Sequence, residues 1–179
     1  MTSKEKILSA DLDTLKIIKY PDPRLAEVST EIEDIGDYIH PLVERMFELM
    51  FAAKGVGLAA PQAGVTVRLF VGSPSYESDD RRVYINPRII EADGSQECEE
   101  GCLSLPGIEA KIKRRAVVTI EAIGLDGKRF QETGVELTAR LFQHESDHLN
   151  GLLLLDKMGS IARLASRRVI HNLEEKYAR

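Results

Sequence analysis

The residues with the clearest chemical potential form the pentapeptide His144-Glu145-Ser146-Asp147-His148, which has the pattern HExxH. On an α-helix, residues four apart lie on one face, so both imidazoles can reach one metal ion with Glu145 beside it. Imidazole nitrogens bind zinc or iron, the metal lowers the pKa of a bound water, and a neighbouring carboxylate can take the proton and deliver it to a leaving nitrogen. The pattern predicts a hydrolytic metal site, although two histidines also fall four apart by chance on surface helices.

The third protein ligand of such a site discriminates among classes of hydrolase. The extended pattern HExxHxxGxxH is excluded because Leu154 stands at its last position. A glutamate of the terminal helix, Glu174 or Glu175, is one candidate, as in thermolysin-like peptidases. Cys102 is another, since a thiolate binds zinc and ferrous iron and a flanking glycine lets the backbone come close. A lone cysteine is otherwise a small buried hydrophobic residue, which is our interpretation of Cys98.

The segment GVGLAAPQ, from Gly55 to Gln62, is rich in small residues. It matches the relaxed dinucleotide fingerprint GxGxxA, but it follows a predicted helix and leads through Pro61 toward a strand, the reverse of the order that nucleotide binding requires. We therefore expect no nucleotide cofactor. The small side chains let main-chain groups approach a ligand, and the Gln62 amide can donate to an oxyanion. A glutamine bonded to local backbone is the alternative interpretation of Gln62.

Hydrophobic periodicity indicates the elements that must position these groups. Apolar residues at helical spacing predict a helix from about Gly36 to Ala53. Four segments rich in β-branched residues predict mostly antiparallel strands: VRLFVG, RVYINPRII, AVVTIEAIG and KRFQETGVEL. Helices follow at about Glu136 to Leu149 and Ser160 to Tyr177. The predicted fold is α+β, a single domain over residues 1–179, with antiparallel strands around a central helix that bears HExxH and with an N-terminal and a C-terminal helix.

Composition narrows the class of protein. The chain has 179 residues, of which 43% are hydrophobic, and no apolar run approaches the roughly 20 residues of a membrane span. The first 20 residues lack the apolar stretch of a secretory signal, and two cysteines four apart are a poor basis for a disulfide, so we expect a reducing, cytoplasmic location without membrane attachment. A net charge of −5 argues against a dedicated nucleic-acid binder. The basic run from Lys111 to Arg115 is interpreted as a solvated face.

Three of these segments, GVGLAAPQ, EGCLS and QHESDHLNG, resemble in order and separation the signature motifs of peptide deformylases. They cover about an eighth of the chain, and its length and element order also resemble the bacterial-type enzymes. The resemblance implies a metal-dependent hydrolase that removes the formyl group from the N-terminal methionine of new polypeptides and releases formate. A metal-bound water would be the nucleophile, and N-formylmethionyl peptides would be the substrates.

The resemblance also implies roles for the metal-binding and acid–base residues. Cys102, His144 and His148 would bind one divalent metal ion, and Glu145 would be the general acid and base. In the family the ion is commonly Fe²⁺, with Zn²⁺, Ni²⁺ or Co²⁺ as substitutes. Asp147 does not share the metal-facing side of the helix, and we expect it to pack or to pair with a basic side chain.

Further positions would contact the substrate. The resemblance implies that Gln62 and the backbone N–H of Leu103 stabilise the oxyanion, and that the Gly57 backbone helps to hold the peptide in an extended conformation. Leu137 and Leu141 precede the histidines at 4, 3, 4 spacing on one helix face, which predicts that they border the methionine side chain. Ordinary core packing of these leucines is equally compatible with that spacing.

Two other functions and one partner stay open from the sequence. The chain could be a zinc peptidase with a terminal-helix glutamate as ligand, or a non-catalytic module that keeps a metal for stability, although Glu145 argues against the module. Because the implied substrate emerges from the ribosome, the basic terminal helix with Arg163, Arg167 and Arg168 is a candidate contact for ribosomal RNA or protein. Two further histidines outside the motifs are interpreted as structural or solvent-facing: His40 and His171.

Overall fold

The computed structural model describes residues 1–177 and confirms the predicted α+β fold class. The helices are α1 (Ser3–Leu8), α2 (His40–Ala52), α3 (Glu136–Leu149), α4 (Leu154–Lys157), α5 (Ser160–Ala165) and α6 (Arg167–Tyr177). The strands are β1 (Gly57–Ala59), β2 (Leu69–Gly72), β3 (Arg82–Asp93), β4 (Gln96–Gly101), β5 (Glu109–Arg114), β6 (Val117–Ile123) and β7 (Arg129–Val135). Short 3-10 helices span Pro23–Ala26, Asp37–Ile39 and Ala60–Ala63. No helix of the described part is long and apolar enough to cross a membrane.

The strands form two antiparallel sheets. Five of them make a sheet in the order β1-β2-β3-β6-β7, while β4 and β5 form a separate hairpin. Strand β1 lies at the edge of the larger sheet, where Gly57 pairs with Gly72 of β2. The hairpin pairs Gly101 with Glu109, so the chain between these two residues forms its loop. The two sheets thus present a strand edge and a hairpin loop to the elements between them.

Helix α3 packs on the larger sheet through a cluster of aromatic side chains. Phe142 of the helix meets Tyr84 of β3 edge to face, with ring centroids 5.4 Å apart, and Tyr84 stacks on Phe70 at 4.5 Å. All three side chains are fully buried. Because one side of α3 is held by these contacts, the side that carries His144 and His148 is turned toward the hairpin loop.

Helix α2 follows the predicted apolar periodicity and buries its inner face in a second core cluster with β1 and β2. The helix is shorter than predicted, because the chain from Asp37 to Ile39 forms a 3-10 turn before it. The predicted C-terminal helix is interrupted at Ser166, which caps α5 before α6 begins. The short elements α1, α4 and β1 were not predicted, since fewer than seven residues show too little periodicity.

The hairpin β4–β5 is the main element that the sequence prediction missed. Cys98, interpreted as a small buried residue, lies in β4 and is only partly buried. The run from Lys111 to Arg115 was interpreted as a solvated face but mostly forms β5. The interpretation of this run was wrong for Arg114, which is 7% exposed. Burial alternates along β5, with Ala110, Ile112 and Arg114 facing inward. This alternation has the period of a strand but is obscured in the sequence because the inward residue Arg114 is charged like its outward neighbours.

Helix α3 is followed by Gly151, whose side-chain position is blocked by backbone. The Gly151 N–H donates to the His148 carbonyl and the Leu152 N–H to the Asp147 carbonyl, the arrangement of a Schellman cap. Gly151 has a φ of +71°, and a Cβ atom there would lie 2.5 Å from the carbonyl oxygen of Ala26. The end of α3 is therefore pressed against the N-terminal part of the chain.

We predict that Gly151→Ala destabilises the protein more than Gly127→Ala. Gly127 has a similar φ of +75° with no atom within 4 Å of the added Cβ. The control Gly127→Ala should therefore lose only the ~1–2 kcal/mol of stability that a left-handed backbone conformation costs an alanine. Gly151→Ala adds an overlap with backbone, for a total of ~2–5 kcal/mol. Urea denaturation of both variants measures the difference, and equal losses of stability would contradict the close packing of this helix end.

Candidate metal centre and active site

Three side chains from two elements converge at the hairpin loop. His144 and His148 project from one face of α3, and Cys102 begins the loop that follows β4. One ligand atom from each of the three lies within 4.8 Å of the others. The Cys102 sulfur is 3.3 Å from Nε2 of His148, and the two imidazole centroids are 5.0 Å apart. These groups form a site that could hold a metal ion.

The surroundings of the three ligands favour a cation between them. Burial alone would raise the pKa of the Cys102 thiol, but the charges of His148 and His144 outweigh burial and lower this pKa well below its ordinary value. Burial would likewise lower the pKa of His144, yet hydrogen bonds with Cys102 and Glu100 raise it well above its ordinary value. The site thus stabilises a thiolate together with positive charge on its partner. Thiolate and imidazole are donors that suit zinc or ferrous iron, with bonds of about 2.0–2.3 Å, so the residues fit the implied ion.

Glu145 lies beside the ligands in a closely packed position. Its side chain is 4% exposed, and its Oε2 atom is buried without a hydrogen-bond partner in the described structure. Burial raises the pKa of its carboxyl group, against the opposing charges of His144 and His148. A Cβ atom at Gly57 would lie 2.5 Å from its Oε1 atom. The carboxylate therefore rests directly on the β1 backbone, where a larger residue would force the Glu145 side chain to shift.

Gln62 reaches the same site from the 3-10 helix that follows β1. Its Oε1 accepts a hydrogen bond from the Ala59 N–H at 2.9 Å, which directs Nε2 toward Cys102 Sγ at 3.6 Å and Ser104 Oγ at 3.3 Å. The amide thus bonds to local backbone and also donates into the site. The two interpretations of Gln62 from the sequence are therefore compatible.

The loop after Cys102 is held by the N-terminal segment. The Ile18 N–H donates to the Gln62 carbonyl at 2.8 Å, and the Tyr20 N–H donates to the Ser104 carbonyl at 3.0 Å. Between them, Lys19 Nζ donates to the Leu103 carbonyl at 2.6 Å. Within residues 1–177 the Leu103 N–H itself donates to no protein acceptor. A free main-chain donor thus stands next to Cys102, on a loop that the N-terminal segment holds through the carbonyls of Leu103 and Ser104.

A buried ion-pair network connects the hairpin to α3. Arg114 of β5 forms a bidentate pair with Glu100 of β4 at 3.0 Å and reaches Asp147 of α3 at 2.5 Å. Lys157 also bonds Asp147, at 3.1 Å. Glu100 in turn lies 3.3 Å from Nδ1 of His144. Burial would raise the pKa of Glu100, but hydrogen bonds with His144 and Arg114 outweigh it and lower this pKa.

The network explains the positions of Asp147 and Glu100, whose partners the sequence did not identify. Asp147 was expected to pack or to find a basic partner, and it has two. Glu100 fixes the Nδ1 side of His144 and so leaves Nε2 to point toward the other ligands, a common arrangement around bound metals. The available sequence signals were the position of Glu100 two residues before Cys102 and the strand alternation that turns Arg114 inward.

Cys102, His144 and Glu145 line a cavity of about 480 Å³ that is formed by α3, the hairpin loop and the segment before β1. Gly57, Gln62 and Leu103 line it, as do Leu137 and Leu141. Leu141 is 3% exposed and also belongs to the core cluster of Phe142, so one side chain contributes both to packing and to the cavity wall. All nine residues that the sequence singled out for this site therefore either line this cavity or belong to the cluster of Cys102, His144 and His148 beside it.

The residues of the competing interpretations lie elsewhere. Glu174 accepts a hydrogen bond from the Tyr20 hydroxyl at 2.9 Å, and Glu175 pairs with His171 at 3.4 Å on the surface of α6. Within residues 1–177, the only three-residue group of potential metal ligands is the one that contains Cys102. His40 begins α2 and is exposed. No observation therefore favours the peptidase arrangement.

Comparison with known proteins identifies the family. The family model of polypeptide deformylase matches residues 14–164. The chain belongs to this family. It is 46% identical over 156 residues to a peptide deformylase of Acidobacterium capsulatum, covering 86% of this chain and 92% of that protein. The family consists of metallohydrolases, so the chain is an enzyme of that class.

Solved structures of peptide deformylases share the fold. That of the Plasmodium falciparum enzyme has a TM-score of 0.88 at 37% identity, covering 91% of this chain and 97% of that one. That of the Legionella pneumophila enzyme has a TM-score of 0.85 at 39% identity, covering 92% of this chain and 98% of that one. The deformylase fold therefore extends over nearly the whole chain.

We predict that Arg114→Met weakens both folding and metal binding. It leaves Glu100 and Asp147 buried without this partner, a loss of ~3–5 kcal/mol. It also frees Glu100 from the geometry that orients His144, which should weaken metal affinity by about 10- to 100-fold. Urea denaturation and competition with a chelator measure the two effects.

The matched control for this prediction is Arg88→Met, because Arg88 pairs with Glu31 at 2.8 Å while both side chains are more than half exposed. Such a pair contributes ~0–1 kcal/mol. Arg114→Met protein with the stability and metal affinity of the control would show that the buried network does not support the site.

Proposed function

We propose that this enzyme removes the formyl group from the N-terminal methionine of newly made polypeptides and releases formate. The observation that carries the proposal is the buried, unpartnered carboxylate of Glu145 beside the Cys102, His144 and His148 cluster. A structural metal site has no need of such a group, whereas hydrolysis of an amide requires a proton acceptor and donor at this position. Family membership supports the same reaction.

In the proposed mechanism, Cys102, His144 and His148 would hold one divalent ion, which supplies a Lewis acid that lowers the pKa of water at the site. Glu145 accepts a proton as water attacks the formyl carbon. The Leu103 N–H and the Gln62 amide donate to the developing oxyanion. Glu145 then delivers the proton to the departing nitrogen, the C–N bond breaks, and the products are formate and a peptide with a free amino terminus.

Substrate binding is proposed to use the edge of the larger sheet. Strand β1 is an edge strand, and Gly57 with the two residues before it lines the cavity. An extended peptide can add to such an edge through main-chain hydrogen bonds. Leu137 and Leu141 on the opposite wall would then border the methionine side chain. We further propose Fe²⁺ as the native ion, with Zn²⁺, Ni²⁺ or Co²⁺ as substitutes, and a cytoplasmic location.

The proposal predicts formate release from formyl-Met-Ala-Ser by protein purified without oxygen, with metal content determined on the same sample. Glu145→Gln should keep the metal and lower kcat by roughly 10²–10⁴-fold, because the amide cannot accept the proton. Glu44→Gln is the matched control, since Glu44 is exposed on α2 and pairs only with Arg81. Metal-loaded wild-type protein that releases no formate, or a Glu145→Gln variant of full activity, would refute the proposed function.

We also propose that the basic surface of α5 and α6 contacts the ribosome, where the substrate emerges. Arg167 and Arg168 are exposed and lie with Arg163 around a shallow cavity between these helices. Arg163 also donates to the Leu155 carbonyl at 2.9 Å and thus has a structural contact. The other two arginines have no salt-bridge partner within the described residues, so their charge is available to an anionic partner.

Charge reversal tests the ribosome proposal. The double variant Arg167→Glu and Arg168→Glu should co-sediment with ribosomes less than wild type, and the wild-type binding should weaken as salt rises, since each phosphate contact contributes a salt-dependent term. Arg88→Glu, which reverses an exposed charge at a distant strand, is the control. Binding that is unchanged by the double variant would leave these arginines without this role.

A further inference from the structure

Arg140 lies in the wall of the proposed substrate cavity without a partner. It stands on α3 one turn before His144 and three residues after Leu137, on the face that lines the cavity. Its side chain is partly buried, and its Nε atom is shielded from solvent without a hydrogen-bond acceptor. A guanidinium offers five N–H donors and no acceptor, and burial of the Nε–H without a partner costs free energy.

Comparison with the other arginines shows how unusual this position is. Within residues 1–177, the arginines that are not fully exposed are Arg45, Arg68, Arg82, Arg114 and Arg140. The first four all donate side-chain hydrogen bonds to protein acceptors. The Nε atom of Arg45 is also buried without an acceptor, but of these five arginines only Arg140 donates no side-chain hydrogen bond from any of its nitrogens. A ligand that enters the cavity can supply an acceptor.

The charges around the cavity indicate which ligand group would approach Arg140. Glu99, Glu100 and Glu109 line the cavity from the hairpin and its loop, Glu145 lines it from α3, and Lys54 lies in the segment before β1. Within residues 1–177, none of the four glutamates forms a salt bridge with Arg140. A peptide carboxylate would be repelled by the hairpin wall and attracted to the helix wall, where a guanidinium can bind it with charge-assisted hydrogen bonds.

We propose that Arg140 is a specificity-determining residue that binds an acidic side chain at the first or second position after the formylmethionine. This proposal rests on the proposed function, because it assigns the downstream peptide to the same cavity. It makes the enzyme faster on nascent chains with an early aspartate or glutamate than on chains with the neutral amide at that position.

The test measures kcat/KM for metal-loaded enzyme on four C-terminally amidated peptides: formyl-Met-Asp-Ala-Ser, formyl-Met-Ala-Asp-Ser and their asparagine counterparts. Wild type should prefer aspartate to asparagine at one of the two positions by roughly tenfold. Arg140→Met should process both members of that pair at equal rates, and Arg140→Glu should prefer asparagine. Arg129→Met, which removes an exposed charge on β7, should keep the wild-type preference.

The outcomes separate this proposal from the proposed function. No formate from any peptide with metal-loaded wild type would refute the proposed function itself. Formate from all four peptides without an aspartate preference would refute only the role of Arg140. The role is also refuted if Arg140→Met retains the preference, or if it lowers all four values equally with its metal content and circular dichroism unchanged.

Discussion

The buried guanidinium of Arg114 is the interaction on which the site depends. Bringing three charged groups out of water costs several kcal/mol for each ion, and this cost is offset only when the geometry satisfies all of them together. Arg114 meets this condition where β5 brings it between Glu100 of β4 and Asp147 of α3. Any separation of the hairpin from the helix would leave buried charges unpaired. The pairs therefore act chiefly by selecting one relative position of two elements, and that position places Glu100 against His144.

The second constraint is steric and acts from the opposite side of the same helix. Phe142 anchors α3 to Tyr84, which leaves little freedom for the helix to move away from β1. Glu145 and Leu103 must then fit against the β1 entry segment, and they do so over Gly57 and Gly55, where a Cβ atom would lie 2.5 Å and 2.7 Å from them. Close approach of the ends of neighbouring side chains thus favours glycine at both positions, a reason that a sequence pattern alone cannot distinguish from a need for backbone flexibility.

Local periodicity was sufficient to predict part of the site. The four-residue spacing of His144 and His148 places them on one face of any helix, and the helix itself follows from its apolar pattern. Cys102 lies more than forty residues away, and no periodicity connects it to them, so thiolate chemistry made it one of several candidate ligands and only the motif resemblance selected it. The role of Arg114 could not be predicted from the sequence, for a different reason. Its sequence neighbours are charged, and its partner Asp147 is 33 residues distant, so the burial that defines its role exists only in the folded chain.

The proposed acid–base role of Glu145 requires a balance between packing and charge. A residue that first accepts and then delivers a proton works best with a pKa near the ambient pH. Burial raises the pKa of Glu145, whereas the positive charge of the neighbouring imidazoles lowers it. Burial and the imidazole charges thus shift this pKa in opposite directions, and burial has the larger effect. Because the carboxylate lies against Gly57, a side chain at that position would force it to shift. In the proposed mechanism, the glycine of β1 therefore helps to hold the carboxylate in the buried position that raises its pKa.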